Sequence, residues 1–409
     1  MFNEQECVAM LLAGGEGRRL APLTGQLAKP AVPFGDRFRM IDFPLNNCAI
    51  SNIKTIGVLT QYCADTVHNY VMSIQQKLHS DQANSDISFL PSSRRCPDGY
   101  SGTADAIYQN IDYIDKHNPE HVLILSGDHI YEMDYRPMLE FHKQRRAAVT
   151  IGVKQVPWRD ASRFGILTTD EQYHIRSFHE KPAEPQSNLA SMGIYLFCWS
   201  DLRAALIKDA ANPASSHDFG KDIIPTLLSS EASMVAYPYD GYWRDVGTID
   251  SLWEANMDLL DGEFKFNATN WAAYSSNSSN TSTSTSGLNA IISDSLMHPY
   301  CSIEAEVTRS IICSGVTIGE DSEVCESIIM PGATIGKNVT IHRAIIGEGA
   351  IIHDGAYIGS MNDQISVIAP FEAVASPSIG INHHNPKPLA DLFAPTAAHS
   401  YSNALSQNS

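Results

Sequence analysis

The sequence predicts an α/β protein in two parts: a parallel or mixed sheet wrapped by helices, then a parallel β-helix of hexapeptide type. Three observations carry that prediction. Short continuous apolar runs alternate with amphipathic stretches over residues 1 to about 260, the pattern of strands buried on both faces and joined by helices. Residues 274–287 (YSSNSSNTSTSTSG) interrupt it with the composition of a flexible polar linker. Beyond them Val316-Thr317-Ile318-Gly319 returns as Ala333-Thr334-Ile335-Gly336 and, more loosely, as Ala350-Ile351-Ile352-His353.

Residues 8–12 are apolar and run into Ala13-Gly14-Gly15, the form of a buried strand feeding a glycine turn. Residues 56–60 and 122–125 read the same way, the latter stopping at Ser126-Gly127-Asp128. Between them, residues 102–117 read as one helix, with Ile107, Ile111 and Ile114 at helical spacing and Thr103 as N-cap. Such sheets bind ligands at the carboxyl ends of their strands, which is where the glycines and Asp128 fall. In the second part Val324, Ile341 and Ile358 share one step with Ser310-Ile311-Ile312, Ser327-Ile328-Ile329 and Ala344-Ile345-Ile346. Short strands with a small residue or Gly at each corner then stack coil on coil, each covering the next. The regularity fades after about residue 362. The expected boundaries are a first domain at 1–262, a linker at 263–287, a β-helix at 288–380 and a poorly ordered tail at 381–409.

A length of 409 residues fits two or three domains, and 43% hydrophobic against 18% charged residues is an ordinary globular balance. The net charge of −18 argues against a broad nucleic-acid surface but leaves room for a local basic pocket. No apolar run approaches the ~18–20 residues that span a membrane, and MFNEQECVAM lacks a basic region followed by an apolar block. The eight cysteines show no CxxC spacing, so they read as buried thiols of a reducing cytoplasm. In that compartment the Asn-x-Ser/Thr sites at Asn267, Asn277 and Asn280 carry no meaning.

Three motifs carry chemistry. The run from Leu12 to Leu20 (LAGGEGRRL), followed by Ala28-Lys29-Pro30, offers backbone N–H groups to phosphate oxygens, with Arg19 and Lys29 as cations above them. It is neither a P-loop nor the dinucleotide fingerprint, which need other residues at those spacings. Asp128 closes a strand, and a second carboxylate stands far downstream in Trp243-Arg244-Asp245-Val246-Gly247; brought together, the two suit a hard divalent cation. Glu180-Lys181-Pro182 and Ser191 suit a sugar phosphate, with Lys181 on an extended segment. The run His217-Asp218-Phe219-Gly220-Lys221-Asp222 lacks the GxSxG elbow a hydrolase would need.

These residues resemble the glucose-1-phosphate adenylyltransferase (ADP-glucose pyrophosphorylase) family of the sugar-nucleotide pyrophosphorylases. LLAGGEGRRL, AKPAVPFG, RMIDFPLNNC, GTADAIYQN, SGDHIYEMDY, FHEKPAEP, LASMGIYLF, SHDFGKDIIP and YWRDVGTIDSLWEANMDLL occur in the family's order. The resemblance implies a Rossmann-like nucleotidyltransferase domain with a left-handed parallel β-helix behind it. It implies adenylyl transfer from ATP to glucose 1-phosphate in bacterial glycogen synthesis. Asp128 and Asp245 would hold Mg²⁺, while Arg19 and Lys29 would steady the triphosphate and the leaving pyrophosphate. Gly14, Gly15, Gln61, Tyr100, Gly102 and Asp128 would line the nucleotide side, with Gln109 packed near it. Tyr100, Gly165, Glu180, Lys181 and Ser191 would contact glucose 1-phosphate.

The resemblance also implies a cytoplasmic homotetramer, with pairing to a related regulatory subunit as the alternative, and an apolar side of the β-helix as the assembly surface. Gln26 and Leu27 stand where regulated members carry cations, and Gly99 where a Trp is usual, which argues against activation by sugar bisphosphates. A non-catalytic regulatory subunit, a pyrophosphorylase for another nucleotide and a hexapeptide acyltransferase using His342 or His353 are the competing readings.

Overall fold

The computed structural model describes residues 6–78, 86–94, 98–266, 285–286, 290–360 and 364–375. Most of the linker, the three Asn-x-Ser/Thr sites and the tail at 381–409 lie outside the described residues. In the first part the strands are β1 (Cys7–Leu12), β2 (Pro33–Phe34), β3 (Phe38–Arg39), β4 (Thr55–Thr60), β5 (Asp86–Pro91), β6 (His121–Ser126) and β7 (His129–Tyr131). They continue with β8 (Val149–Gln155), β9 (Gly165–Thr169), β10 (Ile175–Glu180), β11 (Leu189–Cys198), β12 (Met234–Pro238) and β13 (Trp243–Asp245). The helices are α1 (Asp42–Ile50), α2 (Ala64–Leu78), α3 (Thr103–Tyr108), α4 (Ile111–His117), α5 (Arg136–Arg145), α6 (Trp199–Ala210), α7 (Ile224–Ser229) and α8 (Ile249–Leu260).

The main sheet runs β10-β9-β11-β6-β1-β4-β5, with β8 on β11 and β12 on β8. Strands β6, β1, β4 and β5 are parallel, so their carboxyl ends open on one edge. β11 runs antiparallel to β6 and β8, which makes the sheet mixed. Side chains of one strand alternate between faces. Ala9 and Leu11 of β1 join a core with Val67, Val71 and Ile74 of α2, whereas Val8 and Met10 join Ile107, Ile114 and Leu202 on the other side. Both faces are covered, which explains the unbroken apolar runs.

The single helix expected over 102–117 is two. It breaks between Tyr108 and Ile111, where the buried Asn110 side chain donates to Ala106 O (2.8 Å) and to the Tyr100 hydroxyl (3.0 Å). Gly102, not Thr103, is the N-cap. The Thr103 hydroxyl turns instead to Asp218 Oδ2 (3.0 Å) and accepts from the Phe219 N–H (3.0 Å).

The second part is a three-sided parallel β-helix. Ile303, Ile318, Ile335, Ile352 and Val374 stack on one side, Val307, Val324, Ile341 and Ile358 on another, and Ile312, Ile329 and Ile346 on the third. The stack persists past residue 362 through longer coils, with Ser366–Ile368 beside Ala344–Ile346 and Ala373–Val374 beside Ile351–Ile352. One corner departs from the small-residue expectation: Arg309, Glu326 and Arg343 adopt positive φ of 47°, 48° and 49°. Their backbone N–H groups bond the coil below, and Glu326 lies between the two guanidiniums at 4.0 and 3.7 Å, so opposite charges line the strained corner.

One apolar side of the β-helix is covered within the chain, by the first part. Ile311, Ile328 and Ile345 are buried in one cluster with Phe34, Phe43, Leu252, Ala255 and Phe264. Arg39 reaches Glu348 (3.3 Å), Arg309 pairs with Asp261 (2.7 Å), the Trp253 indole donates to Glu326 O (2.8 Å) and the Arg343 guanidinium lies 4.2 Å over the Trp253 ring. The two parts are docked over an apolar centre with a polar rim.

Candidate functional site

A cavity of ≈ 360 Å³ opens at the carboxyl ends of the parallel strands. Its lining includes Gly14, Gly15, Lys29, Gln61, Tyr100, Gly102 and Asp128, all expected from the sequence. Ser126, Thr103 and Asp218 line it as well and were not anticipated. After β1 the Ala13 N–H still bonds Leu59 O (2.9 Å), and then the chain turns. Gly17 requires its missing side chain twice over: its φ is +69°, and a Cβ would meet Thr24 at 3.0 Å and Lys29 at 3.1 Å. Gly102 lies against the His217 carbonyl, where a Cβ would be 2.2 Å away, so the cavity wall at 102–104 is clamped to the segment carrying Asp218. Gln61 Oε1 accepts from the Tyr100 N–H (3.0 Å), holding the Tyr100 ring at the rim. Gln109 stands apart from this lining and donates to Asp105 (3.1 Å).

Lys29 is 9% exposed and ion-paired to Asp128, whose other oxygen accepts from the Ser126 hydroxyl. Burial opposes ionisation of Asp128. The charges of Lys29 and His129, with the bonds from Lys29 and Ser126, outweigh it and hold the carboxyl well below the usual range. Asp245 arrives by strand pairing: β13 is antiparallel to β7 with Asp245 opposite His129 and Trp243 opposite Tyr131. His129 Nε2 then lies 3.6 Å from Asp128 Oδ1 and 3.7 Å from Asp245 Oδ1. The Trp243 indole nitrogen lies 3.4 Å from His129 Nδ1, and Nε2 faces the two carboxylates. Donor atoms of Asp128, His129 and Asp245 fall within 4.8 Å of one another. Two carboxylates converging with one imidazole suit a divalent cation that takes oxygen ligands, so the donor set fits the metal the resemblance implies.

Arg18 and Arg19 divide their tasks. Arg18 is tied to Glu16 at 2.7 Å, whereas Arg19 points toward Gly247, its Nη2 3.0 Å from where a Cβ there would sit and Asp245 Oδ1 3.5 Å from the same point. Arg19 therefore stands beside the carboxylate pair and not in the lining of the cavity.

The residues expected on the sugar side form a wall continuing from Asp218 through Gly220. Glu180 pairs across β10–β9 with Gly165, and its Oε2 would lie 2.9 Å from a Cβ on Gly165 and 2.6 Å from one on Gly220. Two glycines thus make room for one carboxylate. Lys181 is not extended as expected: its φ is +47°, its N–H bonds Phe164 O (3.1 Å) and its exposed ammonium lies 3.2 Å from Glu180 Oε1. A lysine held in that conformation directly before a proline is strained, a feature concentrated at working sites. Ser191 is buried beside a break in the β11–β8 register, accepting from the Gly193 N–H (3.3 Å); a Cβ on Gly193 would meet His129 at 3.3 Å. The wall and the carboxylate pair are thereby contiguous. Sequence reasoning missed His129, although it directly follows Asp128, and Asp218, although the segment holding it was inspected for another chemistry.

A family model described as "Nucleotidyl transferase" matches residues 8–262, and one described as "GlmU-like, C-terminal hexapeptide" matches 278–366. The glucose-1-phosphate adenylyltransferase of Bacillus mycoides (strain KBAB4) is 51% identical over 326 residues, 79% of this chain and 86% of that protein. Its namesake in Geobacillus stearothermophilus is 52% identical over 321 residues, 78% of this chain and 82% of that one.

Proposed function

We infer the working of the site from one premise: the chain belongs to the glucose-1-phosphate adenylyltransferase family of nucleotidyl transferases. It transfers the adenylyl group of ATP to glucose 1-phosphate, giving ADP-glucose and pyrophosphate. The product is taken as entering glycogen synthesis. Enzymes of this family use a divalent metal; the reading that this is Mg²⁺, held by Asp128 and Asp245, rests on their convergence about His129. That convergence, at the edge of the ≈ 360 Å³ cavity, is the observation that carries the assignment of roles.

A phosphate oxygen of glucose 1-phosphate attacks the α-phosphorus in line, a new P–O bond forms, and the bond to the β-phosphate bridging oxygen breaks to release pyrophosphate. The nucleophile is a phosphate with a second pKa near 6, so it is ionised at neutral pH and needs no base. What the protein supplies is position and charge. Gly14, Gly15, Gln61, Tyr100 and Gly102 shape the nucleotide's place. Lys29 leaves Asp128 for the polyphosphate as it binds, and Arg19 adds a second cation for the departing pyrophosphate. Lys181 takes the sugar's phosphate group, and Glu180, Ser191 and the backbone at Gly165 take its hydroxyls. A divalent metal held by Asp128 and Asp245 would supply neutralising charge to the phosphates.

A homotetramer in the bacterial cytoplasm remains the proposed assembly and setting; among the described residues no helix is long and apolar enough to cross a membrane. The test is pyrophosphate release by the purified chain with glucose 1-phosphate, Mg²⁺ and ATP, UTP, dTTP or GTP in parallel. Turnover with ATP alone supports the assignment. Turnover with another nucleotide changes the substrate, and silence with all four points to a regulatory subunit.

A further inference from the structure

The segment at residues 215–222 touches both sides of the site. On the nucleotide side the His217 carbonyl accepts from the N–H groups of Ala104 (2.8 Å) and Asp105 (3.3 Å), and so satisfies donors that the first turn of α3 leaves open. Gly102 and Thr103, which lead into that turn, line the cavity. On the sugar side Gly220 closes on Glu180, whose Oε2 would lie 2.6 Å from a Cβ there. Between them Asp218 accepts from the Thr103 hydroxyl (3.0 Å) with one oxygen and from the N–H groups of Gly220 (2.9 Å) and Lys221 (3.1 Å) with the other. The placing of both walls therefore depends on the conformation of one short segment.

His217 holds that conformation. Its φ is +54°, in the left-handed region that a residue with a Cβ enters at a cost and keeps only where its surroundings fix it. The fixing group is Asp209, in the last turn of α6, with Oδ2 2.7 Å from His217 Nδ1. Asp209 Oδ1 accepts from the Ser215 hydroxyl (2.6 Å), whose oxygen accepts from the His217 N–H (2.9 Å). Ring and backbone of His217 are thus both anchored to one carboxylate. A carboxylate in the last turn of a helix faces the unfavourable end of its dipole, and these partners in the segment offset that cost. The Asp209 side chain is 11% exposed and that of His217 22%, so the pair is largely shielded from water. Neither residue belongs to the cavity lining.

We propose that His217, tied to Asp209, is a positioning residue that keeps the nucleotide wall and the sugar wall in place for both substrates. It acts through its carbonyl on the start of α3, and through Asp218 and Gly220 on Thr103 and Glu180. The two walls take their names from the adenylyl-transfer reading, on which this role rests, whereas the brace itself belongs to the free chain. Preorganised walls spare each substrate the cost of ordering them on binding.

The experiment compares the full-length wild type with His217→Gly, His217→Asn and Asp209→Ala. Glycine keeps the left-handed φ and removes the ring, whereas Asn tolerates that φ and carries an amide donor in place of Nδ1. KM for ATP and KM for glucose 1-phosphate should both rise about tenfold or more in His217→Gly and Asp209→Ala, the loss of one hydrogen bond to a charged group, with kcat within about threefold. His217→Asn should bring both KM values back to within about threefold of wild type. Hydrogen exchange of the free proteins, read by mass spectrometry on the peptide holding Ala104 and Asp105, should be about tenfold faster in His217→Gly and Asp209→Ala and close to wild type in His217→Asn. Wild-type KM values in His217→Gly and Asp209→Ala, a fall in kcat alone, or unchanged exchange of that peptide overturns the proposal. Absence of turnover in the wild type would count against adenylyl transfer, and the exchange comparison would then decide the brace by itself.

Discussion

Lys29 and Asp128, 99 positions apart, form a part-buried ion pair in the lining of the strand-end cavity. Each is the other's counter-charge, so a cation suited to phosphate and a carboxylate suited to a metal stand together in one small volume.

Asp128→Asn keeps the volume and removes the charge. Turnover should fall by about 10²–10³-fold or more, the range for losing one preorganised electrostatic group. The circular dichroism spectrum should be unchanged, with a modest loss of melting temperature because Lys29 is left buried without its partner. Turnover within tenfold of wild type would remove Asp128 from its assigned role.

Lys181→Gln should raise KM for glucose 1-phosphate by about 10–100-fold, the value of a charged hydrogen bond, and leave KM for ATP nearly unchanged. Steady-state kinetics with each substrate varied in turn decide it. Equal losses for both substrates would place Lys181 elsewhere.

His142 makes stability depend on pH. Burial, then the neighbouring charges of His121 and Lys143, lower its pKa from 6.5 to about 4. Its Nδ1 is 2.8 Å from Thr150 Oγ1. The unfolded chain therefore takes up the proton first as pH falls. The contribution is fully present above 6.5 and is lost between 6.5 and about 4, at no more than about 1.4 kcal/mol per pH unit. Urea melts at pH 7.5 and pH 5 should show a steeper loss for wild type than for His142→Gln; parallel losses would contradict this.

Ile328→Ala probes the docking of the two parts. Ile328 is 1% exposed in the cluster with Phe43, Leu252 and Phe264, so truncation should cost about 2–5 kcal/mol, read from chemical denaturation. Removing residues 288–409 would uncover Phe34, Phe43 and Phe264, and the shortened chain should aggregate or lose its oligomeric state.

Much of this was legible in the residues because local rules and tertiary context agree there. The runs at residues 8–12, 56–60 and 122–125 are unbroken because both sheet faces are covered, and the repeats at Ile311, Ile328 and Ile345 keep one step because each coil templates the next. The expected helix over 102–117 fails since periodicity does not register that Asn110 is buried and bonds its own chain. Asp128 and Asp245 were each visible, but their meeting depends on the pairing of β7 with β13, which also delivers His129. The apolar coil side was visible too. Its partner was not, because periodicity says that a face must be covered and not by what.

The most direct test of the central claim is Mn²⁺ binding, followed by electron paramagnetic resonance, to the wild-type chain, Asp128→Asn and Asp245→Asn in the presence of a non-hydrolysable ATP analogue. The account predicts saturable binding in the wild type, weakened at least tenfold by either substitution. Wild-type affinity in Asp245→Asn would contradict it, and with it the idea that β7 and β13 exist to bring two distant carboxylates to one ion.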